Sequence, residues 1–246
     1  MASPIAWQLA TVTAVRDETP TVRSFSLRLP EWTGHRAGQH VDVRLTAENG
    51  YSVERSYSIA SEPERPGEID ITVERIPGGE VSTFLHDVVV PGDRVEVRGP
   101  IGGYFVWEAH QGGPLLLVAG GSGVVPLMAM LRHRARSGAS IPTRLLFSSR
   151  HLEEIIYHDE LDGLSAAGDG LAVVHTLTRS QPAGWTGYAR RIDDRMLTEV
   201  IEPLGIAARV YICGPTALVE TAANALVRLG LRPDHVRTER FGPTGT

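Results

Sequence analysis

Within residues 53–61, VERSYSIAS, four polar side chains follow one another in an otherwise β-type stretch: Arg55, Ser56, Tyr57 and Ser58. A strand packed on a core does better with alternating apolar residues, so this run raises the question of a contact other than packing. Taken singly, Tyr57 reads as core and Arg55 as a surface ion pair.

A second group lies in the other half of the chain. VAGGSGVVP, residues 118–126, is a strand, a glycine turn and a helix start. Gly120, Gly121 and Gly123 let the backbone turn sharply and approach closely. The helix start offers free N–H groups and a positive dipole end, which suit a pyrophosphate. Many parallel-sheet proteins carry such a turn for tight packing alone. FSSR ends one expected strand at Arg150, and LTRS ends the next at Thr178 and Arg179. Two arginines at successive strand ends are placed to grip a phosphate, as recognition of NADP requires; each alone reads as a solvated loop residue. YICGP puts Cys213 at a further strand end, with Gly214 and Pro215 opening a helix. A lone cysteine is usually a small buried hydrophobe, but ligands of open parallel sheets sit at the carboxyl ends of strands. That position makes Cys213 a candidate nicotinamide contact.

The elements that must hold these groups follow two patterns. WQLATVTAV, TVRSFSLRL, QHVDVRLT, VERSYSIA, EIDITVERI and DRVEVRG read as strands, alternating or β-branched. Turn signals separate them, and one short helix, EVSTFLHDV, interrupts them, which predicts an antiparallel barrel or sandwich. The pattern changes after WEAHQGGP, residues 107–114. LLLVA, TRLLFSS, LAVVHTLT and RVYICG then alternate with helical segments GVVPLMAMLRHRARSG, LEEIIYHDEL, DDRMLTEVI and TALVETAANALVRLG. That alternation predicts a parallel sheet covered on both faces. The expected fold is therefore an antiparallel β-barrel domain over residues 1–108, followed by an α/β domain over residues 109–246. No internal repeat or low-complexity segment is present.

Bulk properties narrow the function. The 246 residues, 42% hydrophobic, suffice for one large domain or two small ones. A net charge of -5 argues against nonspecific nucleic-acid binding. No run of about 18 apolar residues appears, and the N-terminus lacks the basic-then-apolar pattern of a signal peptide, so a cytoplasmic protein without a membrane span is expected. The single cysteine excludes an internal disulfide and an iron–sulfur cluster ligated by cysteines of this chain. Nine histidines show no metal-ligand spacing, so no metal site is expected. All 24 basic residues are arginine, a bias read as genomic first and as functional only inside a motif.

In order and over nearly its whole length, the chain resembles the ferredoxin–NADP reductase family of flavoproteins. RSYS looks like the family's flavin motif. The resemblance implies that Arg55 pairs with the FAD pyrophosphate, Tyr57 packs on the isoalloxazine, and Ser58 hydrogen-bonds near flavin N5, with Ser56 in the same motif. GGEVSTFL resembles the second flavin segment, implying pyrophosphate contacts from the backbone of Val81 with Ser82 and Thr83. ITVER resembles the strand flanking the ribityl and adenosine portions, which implies a contact from Val73. GGSGVVP matches the pyridine-nucleotide turn, giving Gly121, Ser122 and Gly123, with Ser122 where threonine is usual. YICGP matches the nicotinamide-side cysteine motif. TERFG resembles the family's ending, placing Glu239 to assist the proton balance and Phe241 over the flavin face. Five residues follow Phe241, where plant-type members stop at the aromatic. Thr178 stands where the family has serine in its 2′-phosphate pair with Arg179, and Arg150 where some bacterial members use a second arginine.

The resemblance implies hydride transfer from NADPH to FAD, then single-electron delivery to a separate ferredoxin, flavodoxin, Rieske or haem protein, by a monomeric enzyme. Two alternatives stay open: an electron-transfer subunit without its own NADPH turnover, and a reductase of free flavin or another small molecule.

Overall fold

The computed structural model describes residues 5–138 and 140–241. The chain forms two compact units. One holds the residues up to Glu108 together with Met128–Arg136; the other holds Ala109–Leu127 and the residues from Ser137 onward.

The first unit contains β1 (Gln8–Thr19), β2 (Val22–Arg28), β3 (His40–Thr46), β4 (Ser52–Ser58), β5 (Glu68–Glu74), helix α1 (Glu80–Asp87) and β6 (Arg94–Ile101). The strands make one antiparallel sheet in the order β4-β3-β6-β1-β2-β5. Its two ends meet just past β4, where Ile59 bridges Ile71 and the Ala60 N–H donates to Asp70 O at 2.7 Å. The sheet thus closes on itself, as the run of alternating strands predicted. Alternate residues fill the interior, among them Phe25, Leu27, Val41, Val43, Ile69 and Ile71. Helix α1 adds Val81 and Leu85 to that core, one turn apart on a single face.

The second unit contains β7 (Leu115–Gly120), α2 (Val124–Arg136, whose second half groups with the first unit), β8 (Thr143–Ser149), α3 (His158–Ala166), β9 (Leu171–Leu177), α4 (Asp194–Ile201), β10 (Arg209–Pro215), α5 (Thr216–Arg228) and β11 (Val236–Phe241). Five parallel strands run in the order β11-β10-β7-β8-β9. Every residue of β7 is buried, the mark of a central parallel strand. Pro126 is tolerated within α2 because it falls in the first turn, where its missing N–H has no partner to lose. Asp193 caps α4 through Oδ1 on the Met196 N–H at 2.8 Å.

Two elements differ from the sequence expectation. LEEIIYHDEL is not one helix: a short 3-10 turn over Leu152–Glu154 precedes α3, and between them Tyr157 adopts φ 61°. Ile155, Ile156 and Tyr157 are all buried, and three consecutive buried residues cannot share one face of a surface helix. VRTERF becomes β11, an edge strand that sequence reading did not anticipate; four of its six residues are polar and most are only partly buried. No helix among the described residues is long and apolar enough to cross a membrane.

Candidate functional site

The strand order reverses at β7. The chain runs outward through β8 and β9, then returns to lay β10 on β7's other side. At such a switch point neighbouring loops leave in opposite directions and open a crevice at the carboxyl ends of the strands. The ends that meet here are Gly120–Gly123 and Cys213–Gly214. A Cβ on Gly123 would lie 2.1 Å from Cys213 O, and one on Gly120 would lie 2.6 Å from the Leu218 side chain. Gly120 and Gly123 are therefore required for backbone packing, and Gly123 is buried. Gly121 is different. It has φ 53° with open space around its Cβ position, and it is half-buried, as is Ser122.

Strand register sets Glu239 of β11 directly beside Cys213 of β10. Glu239 Oε2 is buried and has no hydrogen-bond partner. Burial pushes its carboxyl up to about 7, because an ionised carboxylate loses hydration there. The Cys213 thiol is raised well above its ordinary value, first by burial and then by Glu239. Cys213 is therefore a neutral thiol, not a nucleophile. An orphaned carboxyl beside a neutral sulfur, at a switch-point crevice, fits a polar ring carrying a hydrogen-bond donor. Phe241 is half-buried opposite Pro215; the tail that follows it lies outside the described residues.

At the far strand ends the β8–β9 ladder continues past the strands. The Thr178 N–H donates to Ser149 O at 3.0 Å, and the Arg179 N–H to Arg150 O at 3.0 Å. Arg150 and Arg179 are thus brought side by side, both exposed. Among the described residues neither carries an ion pair, so both guanidiniums are available to an anion. The Thr178 hydroxyl donates to Ser149 O at 3.3 Å.

In the first unit, alternation along β4 puts Arg55 and Tyr57 on one face, opposite Val43 and Val41 of β3, and Ser56 and Ser58 on the other. Arg55 is exposed and bonds only to the neighbouring Glu54 O, at 2.7 Å. Tyr57 packs against the core. Burial pushes its hydroxyl to about 12, with Arg55 opposing, so it stays a neutral donor. Helix α1 packs against β3, β4 and β5, and its start has no side-chain cap. The N–H groups of Glu80, Val81 and Ser82 therefore lack helical partners. An unpaired guanidinium on the strand that this uncapped helix packs against fits a pyrophosphate. Tyr51 donates to the Glu80 carboxylate at 3.2 Å, holding the one acidic group of that first turn.

Three residues expected at the FAD site also make contacts within this unit. Val73 is fully buried and its carbonyl accepts from His86 Nε2 at 2.8 Å. The Ser82 hydroxyl is used inside its own turn, accepting from the Ile76 N–H at 3.2 Å and donating to Gly79 O at 3.3 Å. The Ser56 hydroxyl donates to Asp42 Oδ1 at 2.7 Å. Ser58 is half-buried across from His40. Thr83 is half-buried, and among the described residues its hydroxyl makes no hydrogen bond.

Sequence reading missed two features of the second unit. His151 Nδ1 lies 2.7 Å from Ser180 Oγ, linking the residues that follow the two arginines. His175 is held among Phe147, His158 and Trp185, with both ring nitrogens buried and unpartnered. Burial, and then His158, lower it to about 4. Neither feature has a local motif; both arise from register between distant segments. Among the described residues, no group of three or more His, Cys, Asp or Glu is placed to hold a metal ion.

Comparison with known proteins agrees with this division. Residues 9–106 match the oxidoreductase FAD-binding domain, and residues 117–224 the oxidoreductase NAD-binding domain. Ferredoxin–NADP reductase B of Sorangium cellulosum is 36% identical over 238 residues, covering 94% of this chain and 96% of that protein. The glycine betaine monooxygenase reductase subunit of Pseudomonas aeruginosa is 32% identical, but this chain spans only 63% of its length. Among solved structures, the FAD/NAD-binding domain of Vibrio cholerae nitric oxide dioxygenase superposes with a TM-score of 0.85 at 25% identity, covering 96% of this chain and 99% of that one. A cytochrome P450 reductase of Amycolatopsis also gives 0.85, at 27% identity, with 100% of this chain and 72% of that one covered. With a FAD-binding barrel, an NAD-binding parallel sheet and a near full-length relative, this chain belongs to the ferredoxin–NADP reductase family of flavoprotein oxidoreductases.

Proposed function

We propose that the chain is a reductase that takes reducing equivalents from NADPH through bound FAD and delivers electrons singly to a separate carrier protein, a ferredoxin or Rieske protein foremost. The observation that carries this reading is the switch-point crevice, where Gly121 and Ser122 lie with Cys213 and the unpartnered Glu239 carboxyl. The relatives' names point the same way, both as ferredoxin–NADP reductase and as reductase subunits of oxygenase systems. We place the domain boundary at residues 108 and 109, and the protein in the cytoplasm, where NADPH is supplied.

When bound, FAD and NADPH supply the redox chemistry itself, hydride transfer into the flavin and release of electrons one at a time. The protein supplies binding, orientation and proton control. In this reading Arg55 and the uncapped N–H groups of α1 hold the FAD pyrophosphate. Tyr57 presents its ring and neutral hydroxyl to the isoalloxazine, and Ser58 offers a hydroxyl to the flavin's reacting edge. Gly121, Ser122 and Gly214 line the path of the pyridine dinucleotide, and Cys213 gives its nicotinamide a compact neutral surface. Glu239 holds a proton at neutral pH and can release or retake it with little free-energy change. Arg150 and Arg179 grip the 2′-phosphate, and Phe241 closes the ring site.

The test is anaerobic mixing of the flavin-loaded protein, NADPH and an oxidised [2Fe–2S] ferredoxin. Ferredoxin reduction at a rate proportional to protein concentration is expected. Bound flavin that NADPH does not reduce would instead identify an electron-transfer subunit. Reduction only of added free FAD would identify a small-molecule reductase.

A further inference from the structure

Between the two arginines that follow β8 and β9 lies a side-chain link that the reaction as described leaves without a role. Arg150 O accepts from the Arg179 N–H at 3.0 Å and from the Ser180 N–H at 3.4 Å. One residue further along each segment, His151 Nδ1 and Ser180 Oγ are 2.7 Å apart. Gln181 Nε2 donates to Leu177 O at 2.9 Å and holds the turn that carries Thr178, Arg179 and Ser180. The backbone of this platform is therefore fixed, and among the described residues the His151–Ser180 bond is its one link from side chain to side chain between the two segments.

A phosphate monoester needs donors, because all of its outer oxygens accept. The Thr178 hydroxyl donates to Ser149 O at 3.3 Å. Ser180 is exposed on the same turn as Arg179. When the proton of the imidazole sits on Nδ1, Ser180 Oγ accepts from His151, and the serine hydrogen is left for a further acceptor. A phosphate at the arginine fork favours that arrangement, because the reverse one would turn serine lone pairs toward an anion.

We propose that Ser180 is the hydroxyl donor for a 2′-phosphate on the bound dinucleotide and that His151 is the positioning residue that fixes it. This rests on the reading of Arg150 and Arg179 as the phosphate grip. The pair adds a neutral hydroxyl donor to the charge-assisted, bidentate bonds that two guanidiniums offer a phosphate. It makes His151 and Ser180 determinants of coenzyme choice, on the same turn as Thr178 and Arg179.

The experiment uses the flavin-loaded protein and two probes, 2′,5′-ADP and 5′-ADP, with binding measured by calorimetry and kcat and KM measured for NADPH and NADH. Ser180→Ala should weaken 2′,5′-ADP about tenfold, the loss of one hydrogen bond to a charged group, and leave 5′-ADP unchanged. His151→Ala should weaken 2′,5′-ADP by a smaller factor, raise KM for NADPH without lowering kcat, and leave NADH kinetics alone. His151→Asn, whose side-chain amide can stand near Nδ1, should restore binding. If Arg179→Ala abolishes the preference for 2′,5′-ADP while the Ser180 and His151 variants keep it, the proposal is wrong and the arginine reading survives. If wild-type protein does not prefer 2′,5′-ADP at all, both fall. Equal loss of both probes in the Ser180 and His151 variants would show that the pair merely holds the loop.

Discussion

Replacing Glu239 by glutamine should change how stability depends on pH, and the size of the change follows from the site. The carboxyl moves from its ordinary 4.5 to about 7 in the folded protein because Oε2 is buried without a partner. Between those values the folded state binds the proton more strongly than the unfolded state does. Stability from this group is therefore fully present below about pH 4.5 and is lost as pH rises through 7. The rise from 4.5 to about 7, at about 1.4 kcal/mol per pH unit, gives at most about 3.5 kcal/mol. Solvent reaches part of the side chain, so about 2 kcal/mol is the expected figure. Glutamine keeps the shape and removes the titration. Urea unfolding of both flavin-loaded proteins, from about pH 5 to about pH 8, isolates the effect, since other titrating groups cancel in the difference. Glu239→Gln should gain on wild type by about 2 kcal/mol across that range. Two parallel stability curves would refute the reasoning and place the carboxylate, ionised, in water or against an undetected partner.

Other outcomes follow from single contacts. Gly123→Ala should cost at least about 3 kcal/mol or prevent folding, because its Cβ would lie 2.1 Å from a backbone oxygen; a melting temperature near wild type would contradict the interlock of β7 and β10. Arg55→Ala should weaken FAD about tenfold or more, one charge-assisted bond to phosphate, read by flavin retention on gel filtration; full retention would remove Arg55 from the site. His175 is lowered to about 4, so its contribution is present above about pH 6.5 and lost as pH falls through 4. His175→Phe should unfold at lower pH than wild type, unless the ring is hydrated.

The two halves of the fold were legible because each has its own hydrophobic period. The alternation of VRSFSLR became β2 and the continuous LLLVA became β7. LEEIIYHDEL was not legible, since Tyr157 in the left-handed region has no sequence signal and the break is set by burial of three neighbours. The site divides in the same way. Arg55, Arg150 and Arg179 stand in short motifs, so their positions could be read. Whether a group is free is decided by partners far away in sequence. Val73, Ser56 and Thr178 each make bonds to residues 13 or more positions away that no motif records. The His151–Ser180 pair was invisible for the converse reason, since 29 residues separate its members.

The most direct test of the account is stopped-flow bleaching of the bound FAD under anaerobic conditions, with NADPH and NADH compared in wild type and in the double variant Arg150→Ala, Arg179→Ala. The account predicts fast bleaching by NADPH, slower bleaching by NADH, and loss of that difference in the double variant through a weaker NADPH affinity, with the NADH rate unchanged. Equal rates with both coenzymes in wild type, or bound FAD that neither coenzyme reduces, would contradict it.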